Sequence, residues 1–354
     1  MKQQGLFGSE RARRVSARYE AKKQRGVPPL SGDISNLAGV PATAESAGER
    51  MHELSGPAAT QGLMSPFDPV SRQISEIEFR RFQELIYRES GIWLSQAKVP
   101  LLVGRLAKRL RFHHLQSFRD YYQLLTEMPE ERIQMLDAIS TNETHFFREP
   151  KHFELLNADI FPRWSRDAAR GQKTRNIRVW SAGCSTGQEP YSLAMTLLDH
   201  FPAASGWDIR IIATDLSTRV LNIAEQAVWP IETAREIPDA YLKRFMLKGI
   251  GEQAGKLKAG SEIRALARFS RLNLNDAKYP VDGPFDLIFC RNVLIYFDAH
   301  SRERIIRHLL KYLSRDGYLF VGHAEGLYAM GSEIRAVIPT VYTPGAGAQC
   351  DATS

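Results

Sequence analysis

The chain has 354 residues, 43% hydrophobic and 25% charged, with a formal net charge of +7 at pH 7. This is an ordinary composition for a globular protein, and the length predicts two domains with tails. Since no run of 18 apolar residues occurs, we expect no membrane-spanning helix.

The positive charge is concentrated at the start of the chain. Residues 1–25 contain eight basic and two acidic residues, so the other 329 residues sum to only +1. A nucleic-acid-binding function for the whole protein therefore loses its main support. Residues 1–72 are rich in Gly, Pro, Ala and Ser and are predicted to be a disordered basic extension and linker, and residues 346–354 a disordered tail. The basic start could instead form a short helix that meets an acidic or membrane surface.

Cysteine usage and the first residues favour a cytoplasmic protein. Cys184, Cys290 and Cys350 show no pairing pattern, which is typical of a reducing compartment. The opening stretch, MKQQGLFGSERARR, lacks the apolar segment of a secretory signal. We therefore interpret the N-x-T sequence at Asn142 as a chance match to a glycosylation site.

Helical periodicity begins near Ser75 and predicts a small helical domain over residues 73–145, made of four short helices. Its second helix, KVPLLVGRLAKRLR, places leucines on one face and contains no acidic residue. A solvated basic face is the ordinary interpretation of such a helix, but this face could also attract an acidic partner. The candidate partner-binding residues are Lys98, Arg105, Lys108, Arg109 and Arg111.

From Ile177 onward, short apolar runs alternate with helical patterns, which predicts a parallel α/β sheet in a domain over residues 146–345. IRVWSA, IRIIATD and FDLIFC are the predicted strands, and YLFVGH and RAVIPTVYT the predicted closing strands. The alternation is interrupted over about 228–270 by a Gly- and Lys-rich stretch. We interpret this interruption as an inserted β-subdomain that ends in a hairpin tip.

The turn after the first strand, SAGCSTGQEP, is a candidate ligand site. Gly183 and Gly187 allow the backbone to pass close to a ligand, and ligands of open α/β sheets bind beyond the carboxyl ends of the strands. The glycine spacing matches neither a dinucleotide fingerprint nor a phosphate-binding loop.

Acidic residues around this turn favour a cationic ligand that contains a ribose. Asp215 ends the second strand, where a carboxylate can accept hydrogen bonds from a ribose diol, and Glu189 would repel a phosphate. S-adenosylmethionine has a ribose, an ammonium and a sulfonium but no phosphate. Asp215 could also be a helix N-cap, and Glu189 a plain first-turn residue. Arg291 and Asn292 follow the apolar strand FDLIFC, and Asn273 ends another strand where its amide could reach an adenine.

Seven segments, in the same order along the chain, resemble the CheR-type chemotaxis-receptor glutamate methyltransferases. They are STNETHFFREPKHF, RVWSAGCSTGQEPYSLAM, IIATDLS, FSRLNLND, GPFDLIFCRNVLIYFD, LSRDGYLFVGHAEGL and LLVGRLAKRLR. The resemblance implies an α/β fold: a Rossmann-like S-adenosylmethionine-dependent methyltransferase domain with a small inserted β-subdomain, preceded by an all-α domain that recognises the receptor. It also implies S-adenosylhomocysteine as product, no metal, and the cytoplasmic helical bundle of chemoreceptors as partner. We expect a monomer.

The resemblance assigns the cofactor contacts residue by residue. Together with Gly183 of the turn, they are Asn142, Thr144, Arg148, Glu189, Asp215, Asn273, Leu274, Arg291, Asn292 and Val293. Many relatives have an acidic residue where this chain has Gln188, and the N-terminal extension lies outside the usual pattern.

Arg148 and Tyr296 are the candidate catalytic residues. The Arg148 guanidinium could pair with the carboxylate of the cofactor or of the substrate. Tyr296, with Phe146 and Phe147, could exclude water, although core packing explains these aromatic residues equally well. A glutamate with a reference pKa of about 4.3 is already ionised at neutral pH and needs no general base, so the enzyme must supply alignment.

Two other functions stay open. One is a signalling adaptor that binds the cofactor or the receptor without turnover. The other is a methyltransferase that acts on RNA or on a small molecule. The basic helix lacks the interleaved aromatic residues of single-strand binders, which weighs against RNA.

Overall fold

The computed structural model describes residues 74–347, in which a helical unit precedes an α/β unit. The extension predicted for residues 1–72 lies outside the described residues, as do Cys350 and the end of the tail predicted for residues 346–354. Within the described part of the chain, no helix is both long and apolar enough to cross a membrane.

The helical unit consists of the first four helices, whose apolar faces share one core. The first helix begins at a capping box, in which the Ser75 hydroxyl accepts from the Glu78 amide and the Glu78 carboxylate accepts from the Ser75 amide. It ends at Gly91, whose φ of 74° lies in the left-handed region. The bounds are α1 (Glu76–Ser90), α2 (Val99–Phe112), α3 (Phe118–Glu127) and α4 (Pro129–Ile139).

The α/β unit is built on a seven-stranded sheet with the strand order β6-β2-β1-β7-β8-β10-β9. The first five strands in this order are parallel, and β10 is antiparallel to both of its neighbours, so the predicted parallel sheet is confirmed. The bounds are β1 (Asn176–Ala182), β2 (Asp208–Asp215), β6 (Ala267–Arg271), β7 (Phe285–Cys290), β8 (Leu313–Val321), β9 (Ile334–Ile338) and β10 (Val341–Pro344).

Helices cover both faces of the sheet. Successive side chains of a strand point to opposite faces, so each face of the sheet has an apolar core of its own. Val179 and Phe289 belong to the core on one face, and Trp180 and Ile288 to the core on the other face, which includes Ile305 of the last helix. The helix bounds are α5 (Pro150–Leu155), α6 (Phe161–Ala169), α7 (Gln188–His200), α8 (Thr218–Gln226), α9 (Asp239–Phe245), α10 (Ser261–Leu266) and α11 (Ala299–Tyr312).

A small antiparallel sheet interrupts the α/β alternation where the sequence predicts an inserted subdomain. Its strands are β3 (Val228–Pro230), β4 (Met246–Lys248) and β5 (Lys256–Ala259), in the order β3-β5-β4. The turn between β4 and β5 contains the Gly-rich stretch. The insertion ends before Ala267, earlier than predicted, because β6 pairs with β2 at the edge of the main sheet.

The strand order reverses at β1, which lies between β2 and β7. The carboxyl ends of these strands therefore flank a crevice of the kind that binds ligands in doubly wound sheets. The helical unit contacts the α/β unit beside this crevice through a β-bridge between Ile92 and Phe297. Asp137 of α4 adds a second contact, since its carboxylate accepts hydrogen bonds from the amide (3.0 Å) and the hydroxyl (2.6 Å) of Thr218.

Candidate functional site

A pocket lies between the helical unit and the carboxyl edge of the sheet, with an empty volume of about 1090 Å³ counted to its open mouth. The predicted residues Lys98 and Tyr296 line it. So do all the predicted cofactor contacts, namely Asn142, Thr144, Arg148, Gly183, Glu189, Asp215, Asn273, Leu274, Arg291, Asn292 and Val293.

The turn after β1 forms the floor of the pocket. The amides of Gly183 and Cys184 both donate to the carbonyl of Thr214, at 2.8 and 2.9 Å. Gly183 has a φ of 90°, and a Cβ there would lie 2.4 Å from a methyl carbon of Val293. Glycine is therefore required at position 183 because the Val293 side chain packs against it. Close access for a ligand is a second reason. The Ser185 hydroxyl donates to the Asn142 carbonyl at 2.9 Å and links this turn to the domain junction.

Asp215 ends β2 with its carboxylate at the pocket wall. One oxygen accepts from the Ser185 amide at 2.8 Å and the other from the Ser217 amide at 2.9 Å. Burial raises the pKa of this carboxyl. These bonds leave two of the roughly four acceptor positions of the carboxylate for a ligand. The N-cap of α8 is Ser217 and not Asp215. Asp215 instead holds this cap residue in place by accepting a hydrogen bond from its amide.

Glu189 and Arg291 form a buried ion pair across the crevice. The Arg291 Nε donates to one Glu189 oxygen at 2.7 Å, and the Ser181 hydroxyl donates to the other at 2.7 Å. Arg291 also donates to the Arg148 carbonyl at 2.6 Å. Glu189 is therefore more than a plain first-turn residue. The pair connects the start of α7, the end of β7 and the domain junction.

The junction segment 140–149 turns sharply as it crosses from the helical unit to the sheet. Phe147 and Glu149 both have positive φ values, of 52° and 57°. The Phe147 amide donates to the Ser192 hydroxyl at 3.0 Å, which holds the segment on α7. The Arg148 side chain lines the pocket and donates to the Glu143 carbonyl at 3.0 Å.

The two phenylalanines of this segment do not line the pocket. The Phe146 ring packs on Trp229, with centroids 5.1 Å apart, and the Phe147 ring stacks on Tyr241 at 5.5 Å. The prediction that they shield the cofactor from water is therefore wrong. The alternative interpretation, ordinary core packing, is correct for both rings. They connect the junction to β3 through Trp229 and to α9 through Tyr241. Phe297 lines the pocket instead.

Two buried amide atoms in the pocket wall test whether S-adenosylmethionine fits. The Nδ2 of Asn142 and the Oδ1 of Asn292 are buried and have no hydrogen-bond partner among the described residues. Such orphaned atoms are uncommon, and they indicate a missing polar partner. A ligand with both donors and acceptors, such as the ribose and amino-acid groups of this cofactor, would satisfy them.

Asn273 is only partly available for an adenine. Its amide nitrogen donates to the Glu89 carbonyl at 2.6 Å, and its oxygen accepts from the Asn275 amide at 3.0 Å. The side chain thus fixes the end of α1 to the turn after β6. One N–H and one acceptor position remain free for a ligand, and Leu274 adds an apolar contact to the lining.

Lys98, which directly precedes α2, and the four predicted basic residues of α2 occupy four different environments. Lys98 lies over the Tyr296 ring at 5.6 Å, at the pocket, and Arg105 donates to the Ile139 carbonyl and to the Thr141 hydroxyl at the junction. Lys108 and Arg111 are exposed on the open face.

Arg109 requires a correction, because it does not belong to an open basic face. Its guanidinium forms an ion pair with Glu131 of α4, a carboxylate that also lies 2.9 Å from the His113 ring and accepts from the Tyr121 hydroxyl at 2.8 Å. The acidic partner comes from another helix, which a search within α2 alone could not reveal.

Sequence reasoning also missed a histidine behind the ion pair. His152 is 1% exposed, its Nε2 lies 2.8 Å from the Thr340 hydroxyl and its Nδ1 lies 3.2 Å from Arg291. Burial, together with the positive charge of Arg291, lowers the pKa of His152 to about 4. The imidazole is therefore neutral at pH 7. The only signal in the sequence is its position just after the junction.

We expect His152 to make the fold sensitive to mild acid. Because its pKa falls from 6.5 in the unfolded chain to about 4 in the folded chain, its contribution to stability is complete above pH 6.5. The contribution is lost as the pH falls toward 4, by up to about 3 kcal/mol. Urea unfolding at several pH values should show a steeper decline for the wild type than for His152→Gln. Equal slopes would contradict this prediction. Glu149, which also faces the ring, is unchanged in both proteins.

Comparison with known proteins covers both units. The family model described as "CheR methyltransferase, all-alpha domain" matches residues 77–140, and "CheR methyltransferase, SAM binding domain" matches residues 142–342. A chemotaxis protein methyltransferase 2 of Pseudomonas aeruginosa is 40% identical over 75% of this chain and 92% of its own length. Chemotaxis protein methyltransferases of Escherichia coli and Borreliella burgdorferi are 38% and 36% identical, each over 76% of this chain and 91% and 94% of their own lengths.

Proposed function

This chain belongs to the CheR methyltransferase family, and on that premise we propose that it methylates glutamate side chains on the cytoplasmic helical bundle of chemoreceptors. The reaction converts S-adenosylmethionine to S-adenosylhomocysteine and a glutamate to its 5-O-methyl ester. Such methylation serves adaptation in chemotaxis or a related chemosensory pathway. We propose that the enzyme acts in the cytoplasm as a monomer without a metal.

The pocket is the observation that carries this proposal. It presents the carboxylates of Asp215 and Glu189 beyond the strands, beside two amide atoms that have no partner among the described residues. Lys98 and Tyr296 also line it. The acidic wall suits a ribose and a cationic group, whereas Lys98 and Tyr296 suit an incoming carboxylate. A phosphate-bearing cofactor would meet repulsion from the same acidic wall.

The lining residues have distinct proposed roles in holding the cofactor. Asp215 accepts from the ribose hydroxyls, and Asn273 with Leu274 contacts the adenine. Asn142 and Asn292 supply the amide donor and acceptor that have no partner in residues 74–347. When bound, S-adenosylmethionine supplies a methyl group activated by a positively charged sulfur.

The remaining residues of the cofactor site are small, apolar or charged. Gly183 gives close access to the turn after β1, and Thr144 and Val293 complete the wall. Glu189 faces the cationic part of the ligand, with its charge partly balanced by Arg291. Arg148 reaches the pocket from the junction, where its guanidinium pairs with the carboxylate of the cofactor.

The chemistry requires alignment and the exclusion of water. None of the described residues that line the pocket is a histidine, which agrees with a nucleophile that is already ionised. Tyr296 and Phe297 line the pocket and reduce its polarity, which favours a reaction in which an anion and a cation neutralise each other. Correct positioning of two reactants can lower a barrier by roughly 7–11 kcal/mol.

Receptor capture is expected to depend on the exposed basic side chains of α2. Lys108→Ala combined with Arg111→Ala should raise the KM for a receptor fragment roughly tenfold at low salt, because an acidic helix is attracted over a distance. The effect should shrink as salt screens the charges. Steady-state kinetics at two salt concentrations measures it, with Lys243→Ala on α9 as an exposed control. Equal KM values for the double variant and the control would contradict the proposed receptor face.

A transfer assay distinguishes the proposed function from its alternatives. Purified protein is incubated with methyl-labelled S-adenosylmethionine and, in parallel, with a receptor cytoplasmic fragment or with total RNA. We expect label in the receptor fragment that alkali releases as methanol, and none in RNA. Label in RNA alone would favour a nucleic-acid methyltransferase. Cofactor binding without transfer to any substrate would favour an adaptor.

A further inference from the structure

Glu325 is a buried carboxylate that lies outside the pocket lining, on the turn after β8. It is 0% exposed. Its Oε2 accepts hydrogen bonds from the amides of Gly322 at 2.6 Å and Asn292 at 2.7 Å, and its Oε1 accepts from the amide of Ile295 at 3.1 Å. Glu325 forms no salt bridge with any other residue of the range 74–347. Within this range, its negative charge is stabilised by backbone amides instead.

The loop 291–296 is shaped around this carboxylate. Asn292 has a φ of 60°, and a short 3₁₀ turn over Leu294–Tyr296 follows. The amides of Asn292 and Ile295 from this loop and of Gly322 from the turn after β8 converge on the carboxylate, and we call this concave group of N–H donors the nest. The anion bound here is a side chain of the same protein.

Gly322 provides the space for the carboxylate. A Cβ at this position would lie 2.7 Å from the Glu325 Oε2 and 2.6 Å from the Asn292 Nδ2. Both contacts are shorter than any side chain tolerates without movement. The absence of a side chain at Gly322 thus lets Glu325 and the loop approach each other.

The charge of Glu325 is a balance between burial and the nest. Burial raises the pKa of the carboxyl, and the amides of Gly322, Asn292 and Ile295 act in the opposite direction. Hydrogen bonds from N–H groups to a carboxylate are about twice as strong as neutral ones. An uncharged side chain of the same size would bind the loop less tightly.

We propose that Glu325 is a positioning residue for methyl transfer, which holds Asn292, Val293 and Tyr296 in their places along the pocket. These three residues belong to the loop in the nest, and all three line the pocket. A second carboxylate, that of Glu149, accepts a long hydrogen bond of 3.5 Å from the Asn292 side-chain amide. The expected effect on kcat rests on the proposed function. The expected effect on the order of the loop can be measured independently of it.

Glu325→Gln tests the inference, because glutamine has nearly the same size but an NH₂ group that cannot accept from an amide. We expect kcat to fall roughly 10²-fold, as for other small misplacements of reacting groups, and the loss in kcat to exceed the loss in affinity for S-adenosylhomocysteine. Hydrogen exchange of the amides of residues 292–295 should become faster, while that of β1 and β7 is unchanged. Glu303→Gln on α11, where Glu303 pairs with Arg307 at the surface, is the matched control.

A folded Glu325→Gln protein with wild-type kcat, KM and loop exchange would overturn the proposal. If this variant does not fold, Glu325→Asp retains the charge on a shorter side chain. The aspartate variant should then show faster exchange confined to residues 292–295 and a lower kcat, and wild-type values of both would overturn the proposal. If the wild type itself makes no ester, the proposed function fails, whereas exchange and product-binding measurements still test the role of Glu325.

Discussion

Replacing Asp215 by asparagine is expected to weaken S-adenosylhomocysteine binding by roughly 10²-fold, the loss of about 3 kcal/mol in charge-assisted hydrogen bonds to the ribose. The asparagine retains one oxygen acceptor but directs an NH₂ group at a ribose hydroxyl or at the amide of Ser185 or Ser217. Isothermal titration calorimetry measures the change directly. Turnover should fall in parallel, which a pure adaptor could not show.

The matched control for this experiment is Asp199→Asn, since Asp199 forms an exposed salt bridge with Arg244. That variant should bind the product as the wild type does. A lower melting temperature in Asp215→Asn with unchanged affinity would contradict the ribose assignment. Asp215 would then serve only to fix the turn after β1 and the start of α8.

The second large effect is expected at the buried ion pair. Arg291→Met should destabilise the protein by about 3–5 kcal/mol, because it leaves the Glu189 carboxylate buried without its cation. The Arg148 carbonyl and the His152 ring would lose a donor at the same time. Urea unfolding at pH 7 measures the loss, and cofactor affinity should fall with it.

A double variant separates charge from packing at this pair. Arg291→Met combined with Glu189→Gln should recover part of the lost stability, because the Glu189 charge is removed together with its partner, while Glu149, 3.8 Å from Arg291, stays charged in both variants. Arg244→Met, which removes the cation of a surface pair, should change the free energy of unfolding by less than about 1 kcal/mol. Strict additivity of the two single changes would contradict a direct interaction between Glu189 and Arg291.

The sequence predicts those parts of the site that depend on local pattern. Strand periodicity and the rule that ligands bind at carboxyl ends place Asp215 and Arg291 at one edge of the sheet, and both line the pocket. The separate antiparallel sheet also lies where the alternation breaks. Its end was harder to predict, because β6 is short and its membership of the main sheet depends on pairing with β2.

Contacts between distant segments could not be predicted from local pattern. Glu131 neutralises Arg109 only because α2 packs on α4, and Glu189 meets Arg291 only because β1 and β7 are neighbours. Glu325 follows the last parallel strand and has no nearby charge in sequence that marks its role. The packing of the phenylalanine pair on the inserted subdomain could not be predicted for the same reason, since Trp229 and Tyr241 lie more than 80 positions further along the chain.

The most direct measurement of the central claim is mass spectrometry of a receptor cytoplasmic fragment after incubation with this protein and S-adenosylmethionine. The proposed function predicts the mass increase of one methyl group on a glutamate residue, its disappearance after mild alkali, and its absence when Asp215→Asn replaces the wild type. An unmodified fragment in the presence of bound cofactor, or an alkali-stable methyl group on another residue type, would contradict glutamate methylation.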